Sequence, residues 1–338
     1  MVSFNSDDGS STSDGEGLMD LDTMFPEPER PPPPPPTIHT YASPLLAQFL
    51  SDEEAKLVVQ LVGTNPLWGH VLWNAGVSLS DYFLTLATQR QPQEPGIAGA
   101  TVLELGAGGG LPSLVCGVLG AAKVVVTDYP DEDLLDNLRW NVAENGRRLA
   151  PLADARRMWD ERMVVKGHLW GKKTDELLDL VDGTPPSPPL LTDDVSPPPQ
   201  PIPLERADER RKYDILILSD LIFNHSQHHS LLHSCEALIT RRTGRAYVFH
   251  SHHLPQWYLR DLQFFRLAEQ RGWRIRRVVR EHRGVMFAED QGDVEKRSTV
   301  WGWEMRWDGE AIGGSWDREE HSEGLTQVMQ QAAGAGVE

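Results

Sequence analysis

The sequence predicts an α/β fold: a doubly wound sheet of seven strands in a single domain, set between disordered tails. Three observations carry that reading. From about residue 97, strand-like and helix-like segments alternate, as a sheet covered on both faces requires. The apolar run at 101–105 passes straight into Gly106-Ala107-Gly108-Gly109-Gly110, a strand followed by a glycine-rich turn. The stretch Ile215-Leu216-Ile217-Leu218 is apolar at every position, which suits a central parallel strand buried on both faces.

Each element follows in order. Residues 101–105 form the first strand, and the helix after it carries Leu111, Leu114, Val115, Val118 and Leu119 at spacings of three and four. Residues 123–127 form the second strand, closed by Asp128. The next helix runs through Leu134, Leu135, Leu138 and Val142, with Asn145-Gly146 as its stop signal. Residues 163–166 and 213–219 supply the third and fourth strands, and 246–250 the fifth. A helix over 259–267 leads to the last two, at 275–279 and 299–307. Right-handed crossovers then place the ligand crevice at the carboxyl edge of the first strand.

The 338-residue chain has a formal net charge of −18, but most of it lies at the ends. Residues 1–30 carry a net −7 and residues 308–338 a net −6, leaving only about −5 for the middle. Segments so charged and so poor in aliphatic residues cannot bury enough apolar area to offset the entropy of ordering. The expected organisation is a tail over 1–40, a domain over 41–307 and a second tail over 308–338. Pro31 to Pro36 reads as an extended spacer, and 183–203, rich in Pro, Ser and Thr, as an inserted surface loop. Cys116 and Cys235 sit in apolar stretches without metal or redox spacing, and are expected to be buried thiols. With neither a signal-peptide pattern nor an apolar run of about 20 residues, a soluble, cytoplasmic protein is expected, a monomer without contact with membrane or nucleic acid.

The chemistry begins at the glycine turn. A Rossmann-like nicotinamide fingerprint needs a third glycine three residues after the second, and that position is Leu111. Glu104, Gly106, Gly108 and Gly110 instead spell the acidic, every-second-glycine loop of S-adenosylmethionine-binding domains, with Glu104 placed to meet the charged amino-acid end of the cofactor. Asp128 closes the second strand, where a carboxylate accepts hydrogen bonds from ribose hydroxyls; an isolated Asp before Pro130 would otherwise read as a turn cap. Trp170 after the third strand borders the adenine or else packs in a loop, and Ser219 ends the fourth strand at the same edge.

Several motifs then combine: Pro66-Leu67-Trp68-Gly69-His70, Leu72-Trp73-Asn74-Ala75-Gly76, Val102 through Gly108, Leu111-Pro112-Ser113-Leu114, Val126 through Asp131, Gly167 through Gly171, and Leu218 through His225. Through them, over roughly residues 65–307, the chain resembles the fungal elongation factor methyltransferase seven group, formerly called nicotinamide N-methyltransferase-like, within the seven-strand lysine methyltransferases. The resemblance implies a seven-strand methyltransferase sheet and a protein N-methyltransferase whose substrate is elongation factor 1-alpha, modified at its N-terminal glycine and the adjoining lysine. It implies that Trp68 or Trp73 joins Gly106, Ala107, Gly108, Asp128, Trp170 and Ser219 around the cofactor. The family's acid-then-aromatic loop maps onto Asp220 and Phe223 as catalytic residues. A small-molecule amine methyltransferase and a non-catalytic binding module are the alternatives.

Two other clusters have plainer expectations. His225, His228, His229 and His233 lack an accompanying carboxylate or thiol set for a metal and read as a solvated helix start. Where the family tends to carry Pro-His-Arg-Pro, this chain has Ser251-His252-His253-Leu254-Pro255 and departs from the pattern. The arginines between Arg271 and Arg283, alternating with Trp273, Ile275 and Val278, read as an exposed strand face.

Overall fold

The computed structural model describes residues 34–50, 55–89, 96–149, 153–182, 184 and 211–308, and the elements below all fall in the unit Pro35–Glu338. The two expected tails and the Pro-rich loop lie almost wholly outside the described residues. Nine strands are described: β1 (Thr37–Ala42), β2 (Lys56–Leu61), β3 (Thr101–Leu105), β4 (Lys123–Asp128), β5 (Met163–Gly167), β6 (Ile215–Ser219), β7 (Arg245–Ser251), β8 (Trp273–His282) and β9 (Thr299–Trp307). The helices are α1 (Asn74–Thr88), α2 (Leu111–Val118), α3 (Glu132–Leu149), α4 (Ala153–Arg162), α5 (Asp175–Asp179), α6 (His228–Leu238), α7 (Tyr258–Gln270) and α8 (Val294–Ser298).

Strands β3 to β9 form one sheet in the order β5-β4-β3-β6-β7-β9-β8. Pairing is parallel from β5 across to β7, as expected, but β9 runs antiparallel to both β7 and β8. The cause is the connection between β8 and β9, which carries only the short α8 and folds back instead of crossing the sheet. The chain reverses direction of growth between β3 and β6, so their carboxyl ends open a crevice at a topological switch point. Apolar residues on both faces of β3 and β6 bury themselves in two separate cores, one under α1, α2 and α3 and the other under α6 and α7.

Three features depart from expectation. An antiparallel hairpin of β1 and β2 precedes the sheet, and β1 starts at Thr37, inside the segment expected to be tail. Its alternation is masked in the sequence because only Tyr41 of β1 is buried. Helix α4 also escapes sequence reading, its burial resting mainly on Trp159. Finally, Asn145-Gly146 does not stop α3, which continues to Leu149.

The asparagines explain that last departure. Asn137, Asn141 and Asn145 lie at intervals of four along one face of α3 and their amides pair with the backbone of β2. Asn145 accepts from the Val58 N–H at 2.9 Å and donates to the Val58 carbonyl at 2.7 Å. Asn141 does the same with Gln60 at 2.7 and 2.8 Å and also donates to the Gly109 carbonyl at 3.0 Å. Asn137 adds a bond to the Gln60 carbonyl at 2.8 Å. A side-chain ladder thus satisfies an otherwise open strand edge. Replacing Asn141 by Ala is expected to destabilise the protein by about 2–3 kcal/mol, since it strands buried backbone groups, and a urea unfolding midpoint measures it.

Candidate active site

The crevice is a cavity of about 770 Å³. Its floor is the turn between β3 and α2. Gly106 and Gly108 adopt φ of +62° and +54°, a region L side chains avoid. A Cβ on Gly106 would stand 2.7 Å from Leu221 Cδ2 and 3.1 Å from Trp170 Cζ2, so the tryptophan closes directly over a bare backbone. Beneath the loop, Val59 and Leu61 of β2 press so closely that a Cβ on Gly109 would meet them at 2.6 and 2.9 Å. The hairpin therefore supports the ligand loop from behind.

Two carboxylates are fixed to this loop. Glu104, fully buried on β3, accepts from the Ser113 N–H at 3.1 Å and from the Ser113 hydroxyl, both at Oε2. Its Oε1 is buried with no hydrogen-bond partner among the described residues. Burial pushes its pKa up to about 8, only partly offset by the Ser113 bonds. Asp128, at the end of β4, accepts from the Gly108 N–H at 2.7 Å and the Tyr129 N–H at 2.6 Å. Burial raises its pKa as well, against the pull of those two donors. It is tied to the glycine turn rather than acting as a simple turn cap.

A third carboxylate lines the same cavity. Asp220, immediately after β6, is buried with φ +56°, a strained conformation that Asp tolerates better than most residues. Its Oδ2 is 3.0 Å from His253 Nε2, and Ser251 N–H approaches Oδ1 at 3.4 Å. Trp73 lies against His253 with ring centroids 4.6 Å apart. Trp68, 44% exposed at φ +63°, stacks on His70, and both Trp68 and Trp73 meet Phe287 at 5.9 Å. Phe223 is 41% exposed at the mouth, while a Cβ on Gly76 of α1 would meet Ser219 Oγ at 3.3 Å.

The cavity thus brings together every residue singled out from the sequence: Glu104, Gly106, Ala107, Gly108 and Asp128 on its floor, and Trp68, Trp73, Trp170, Ser219, Asp220 and Phe223 around it. Sequence reasoning missed Ser113, although it lies within a quoted motif, and Phe287, which sits in a connection with no motif of its own. It also gave His253 no role. Arg297, buried on α8, donates to the carbonyls of Phe287 and Asp290 and so holds that connection against the tryptophans.

The histidines near β6 are not a solvated helix start throughout. His228 is buried and bonds the Ile222 carbonyl at 2.6 Å, while His225 and His252 each bond an oxygen of Asp261 at 2.7 Å, tying the β6 and β7 loops to α7. The arginine strand is likewise only partly exposed: Arg276 joins Arg245 and Arg306 around the buried Glu304.

Comparison with known proteins bears directly on this geometry. A family model described as lysine methyltransferase matches residues 52–179. Proteins named protein N-terminal and lysine N-methyltransferase EFM7 align over most of the chain. That of Cryptococcus neoformans is 40% identical over 311 residues, covering 87% of this chain and 90% of its own. That of Candida glabrata is 35% identical over 295 residues, covering 87% and 98%, and that of Schizosaccharomyces pombe 36% over 254 residues, covering 75% and 82%.

The chain belongs to this EFM7 family. As an EFM7-family enzyme it is an S-adenosylmethionine-dependent N-methyltransferase, and the residues present fit that cofactor. The unpartnered Glu104 Oε1 suits the cofactor's ammonium group, Asp128 retains lone pairs for two hydroxyls, and the turn at Gly106 leaves room that a side chain would fill. A consequence can be measured. Because Glu104 is held largely protonated at pH 7, cofactor binding is expected to release about one proton as the ammonium draws it into the charged form. Calorimetry in buffers of different ionisation enthalpy reads this release, which Glu104→Gln abolishes while weakening affinity by about 10–100-fold.

Proposed function

We propose that this enzyme methylates the N-terminal glycine and the adjoining lysine of translation elongation factor 1-alpha, acting in the cytoplasm as a monomer. The observation that carries the reading is the third carboxylate: Asp220 shares one cavity with Glu104 and Asp128 but comes from the end of a different strand and is bonded to His253 instead of the glycine turn. The substrate follows from the family resemblance carried by the combined motifs over roughly residues 65–307. No helix among the described residues is long and apolar enough to cross a membrane.

In this mechanism S-adenosylmethionine supplies an electrophilic methyl group, and the protein aligns a neutral amine in line with it. Trp170 and the Gly106–Gly108 backbone line the cavity, where Glu104 would hold the cofactor's ammonium and Asp128 its ribose. Trp68 or Trp73, which both line the cavity, would border the cofactor as well. Ser219 steadies it at the end of β6. Asp220 holds the acceptor's hydrogens and turns its lone pair inward, while Phe223 offers an aromatic face to the developing cation. Neutralising a terminal α-amine of pKa about 7.7–8.0 costs about 1 kcal/mol at pH 7, whereas a lysine at about 10.4 costs about 4–5 kcal/mol. The terminal amine is therefore the easier first acceptor, and the lysine leans harder on Asp220.

The test is incubation with methyl-labelled cofactor and elongation factor 1-alpha, followed by mass spectrometry of its N-terminal peptide. Methyl groups on the terminal glycine and next lysine are expected. Label on free nicotinamide with none on the protein, or label confined to other sites, overturns the assignment.

A further inference from the structure

Asp220 cannot hold an incoming amine independently of its neighbour, since one of its two oxygens already carries a histidine bond. His253 is only 14% exposed, its Nε2 is 3.0 Å from Asp220 Oδ2, and its ring is covered by Trp73. Such a pair has two electrical states. With the imidazole neutral, Nε2–H still donates and the pair carries the carboxylate's full charge; with the imidazolium, the pair is neutral. A cationic amine or a methylated ammonium entering the cavity meets an attractive wall in the first state and none in the second.

Resting on the proposed substrate, we infer that His253 is a positioning residue that gates the acceptor subsite: its protonation cancels Asp220 and expels cationic peptide N-termini, and its deprotonation admits them. The groups facing His253 fit this role. Burial alone would lower its pKa, but Asp220, through charge and hydrogen bond, and more distantly Asp261, outweigh that and the opposing Arg297, leaving the pKa raised above its ordinary value. The adjacent His250 is buried, its pKa pushed well down by burial and by its histidine neighbours, so it adds no competing charge near neutrality. His252 is engaged with the other carboxylate, Asp261. Glu104, with a pKa of about 8 in the same cavity, also titrates in this range unless bound cofactor already holds it in its charged form; with the cofactor site filled the transition falls to His253, and attraction grows as pH rises through its raised pKa.

The probe is a peptide whose N-terminus is a trimethylammonium group, which has no ionisation of its own, titrated calorimetrically between pH 6 and 8.5 into the full-length enzyme saturated with the demethylated cofactor product, which keeps Glu104 charged throughout. Wild type is expected to gain about tenfold in affinity across that range. His253→Gln, whose Nε2 still donates to Asp220 but cannot be protonated, should bind with less than a twofold change, and Asp220→Asn should be equally flat and weak throughout. Cofactor affinity, set at the other end of the cavity, reports that each variant is folded. If His253→Gln misfolds, His253→Asn replaces it under the same criterion. Parallel slopes in wild type and a folded His253 variant overturn the gate while leaving the substrate assignment intact. A wild type that binds cofactor but no such peptide at any pH, and leaves the elongation factor unlabelled, overturns the substrate reading and the gate together.

Discussion

Asp220→Ala is expected to lower kcat/KM for the protein substrate by about 10²–10⁴-fold, the range typical of a positioned acid–base group. The substitution removes the acceptor-side carboxylate of the cavity and leaves His253 Nε2 without its partner. It leaves Glu104 and Asp128 with their own donors in Ser113, Gly108 and Tyr129. Cofactor affinity should consequently hold within a fewfold while turnover collapses. Steady-state kinetics beside cofactor calorimetry separates the two quantities, and an equal loss in both would assign Asp220 to the cofactor instead. The φ +56° conformation persists in the variant, and because Asp tolerates it better than Ala, a small additional cost in folding is expected from this source.

Gly106→Val should abolish measurable cofactor binding, weakening it by more than about 100-fold. A left-handed backbone costs a β-branched residue about 1–2 kcal/mol before any contact is counted. The side chain must then displace Leu221 and Trp170, which stand 2.7 and 3.1 Å from the position of its first carbon. Leu221 can swing aside, but Trp170 is itself part of the cavity wall, so relieving the clash dismantles the site. The corresponding change at Gly96, where the nearest atom is a backbone nitrogen at 3.9 Å and φ is not left-handed, provides the contrasting control with little effect on binding. Fluorescence or calorimetric titration distinguishes these outcomes.

The sheet was legible because its central strands are buried on both faces and leave uninterrupted apolar runs, as in Ile215–Ser219. The hairpin was not, because β1 is stabilised by pairing with β2 while five of its six residues are exposed. The antiparallel β9 was placed correctly along the chain but not in direction, since strand periodicity is the same whichever way a strand runs. Within the site, the glycine turn and the carboxylates announce themselves by local spacing. Phe287 does not: a buried Arg297 ten residues on holds it there by hydrogen-bonding its carbonyl, a contact that no local pattern signals. The Asp220–His253 pair likewise spans a separation of 33 residues that no motif encodes.

Asn145-Gly146 carries a last consequence, for chemical ageing. In a flexible chain this dipeptide is prone to deamidation, because the glycine nitrogen swings round to attack the asparagine side-chain carbon and expels ammonia, and water then opens the cyclic imide to a carboxylate. Here the helix continues through both residues, and the Asn145 amide is clamped at both ends to Val58. The attack geometry is denied for as long as the hairpin stays docked. Should it lift, the nascent aspartate would face the Val58 carbonyl with like polarity, and the damage would keep the hairpin from returning. The span of useful life of the enzyme is in this way tied to a segment that never touches its ligands.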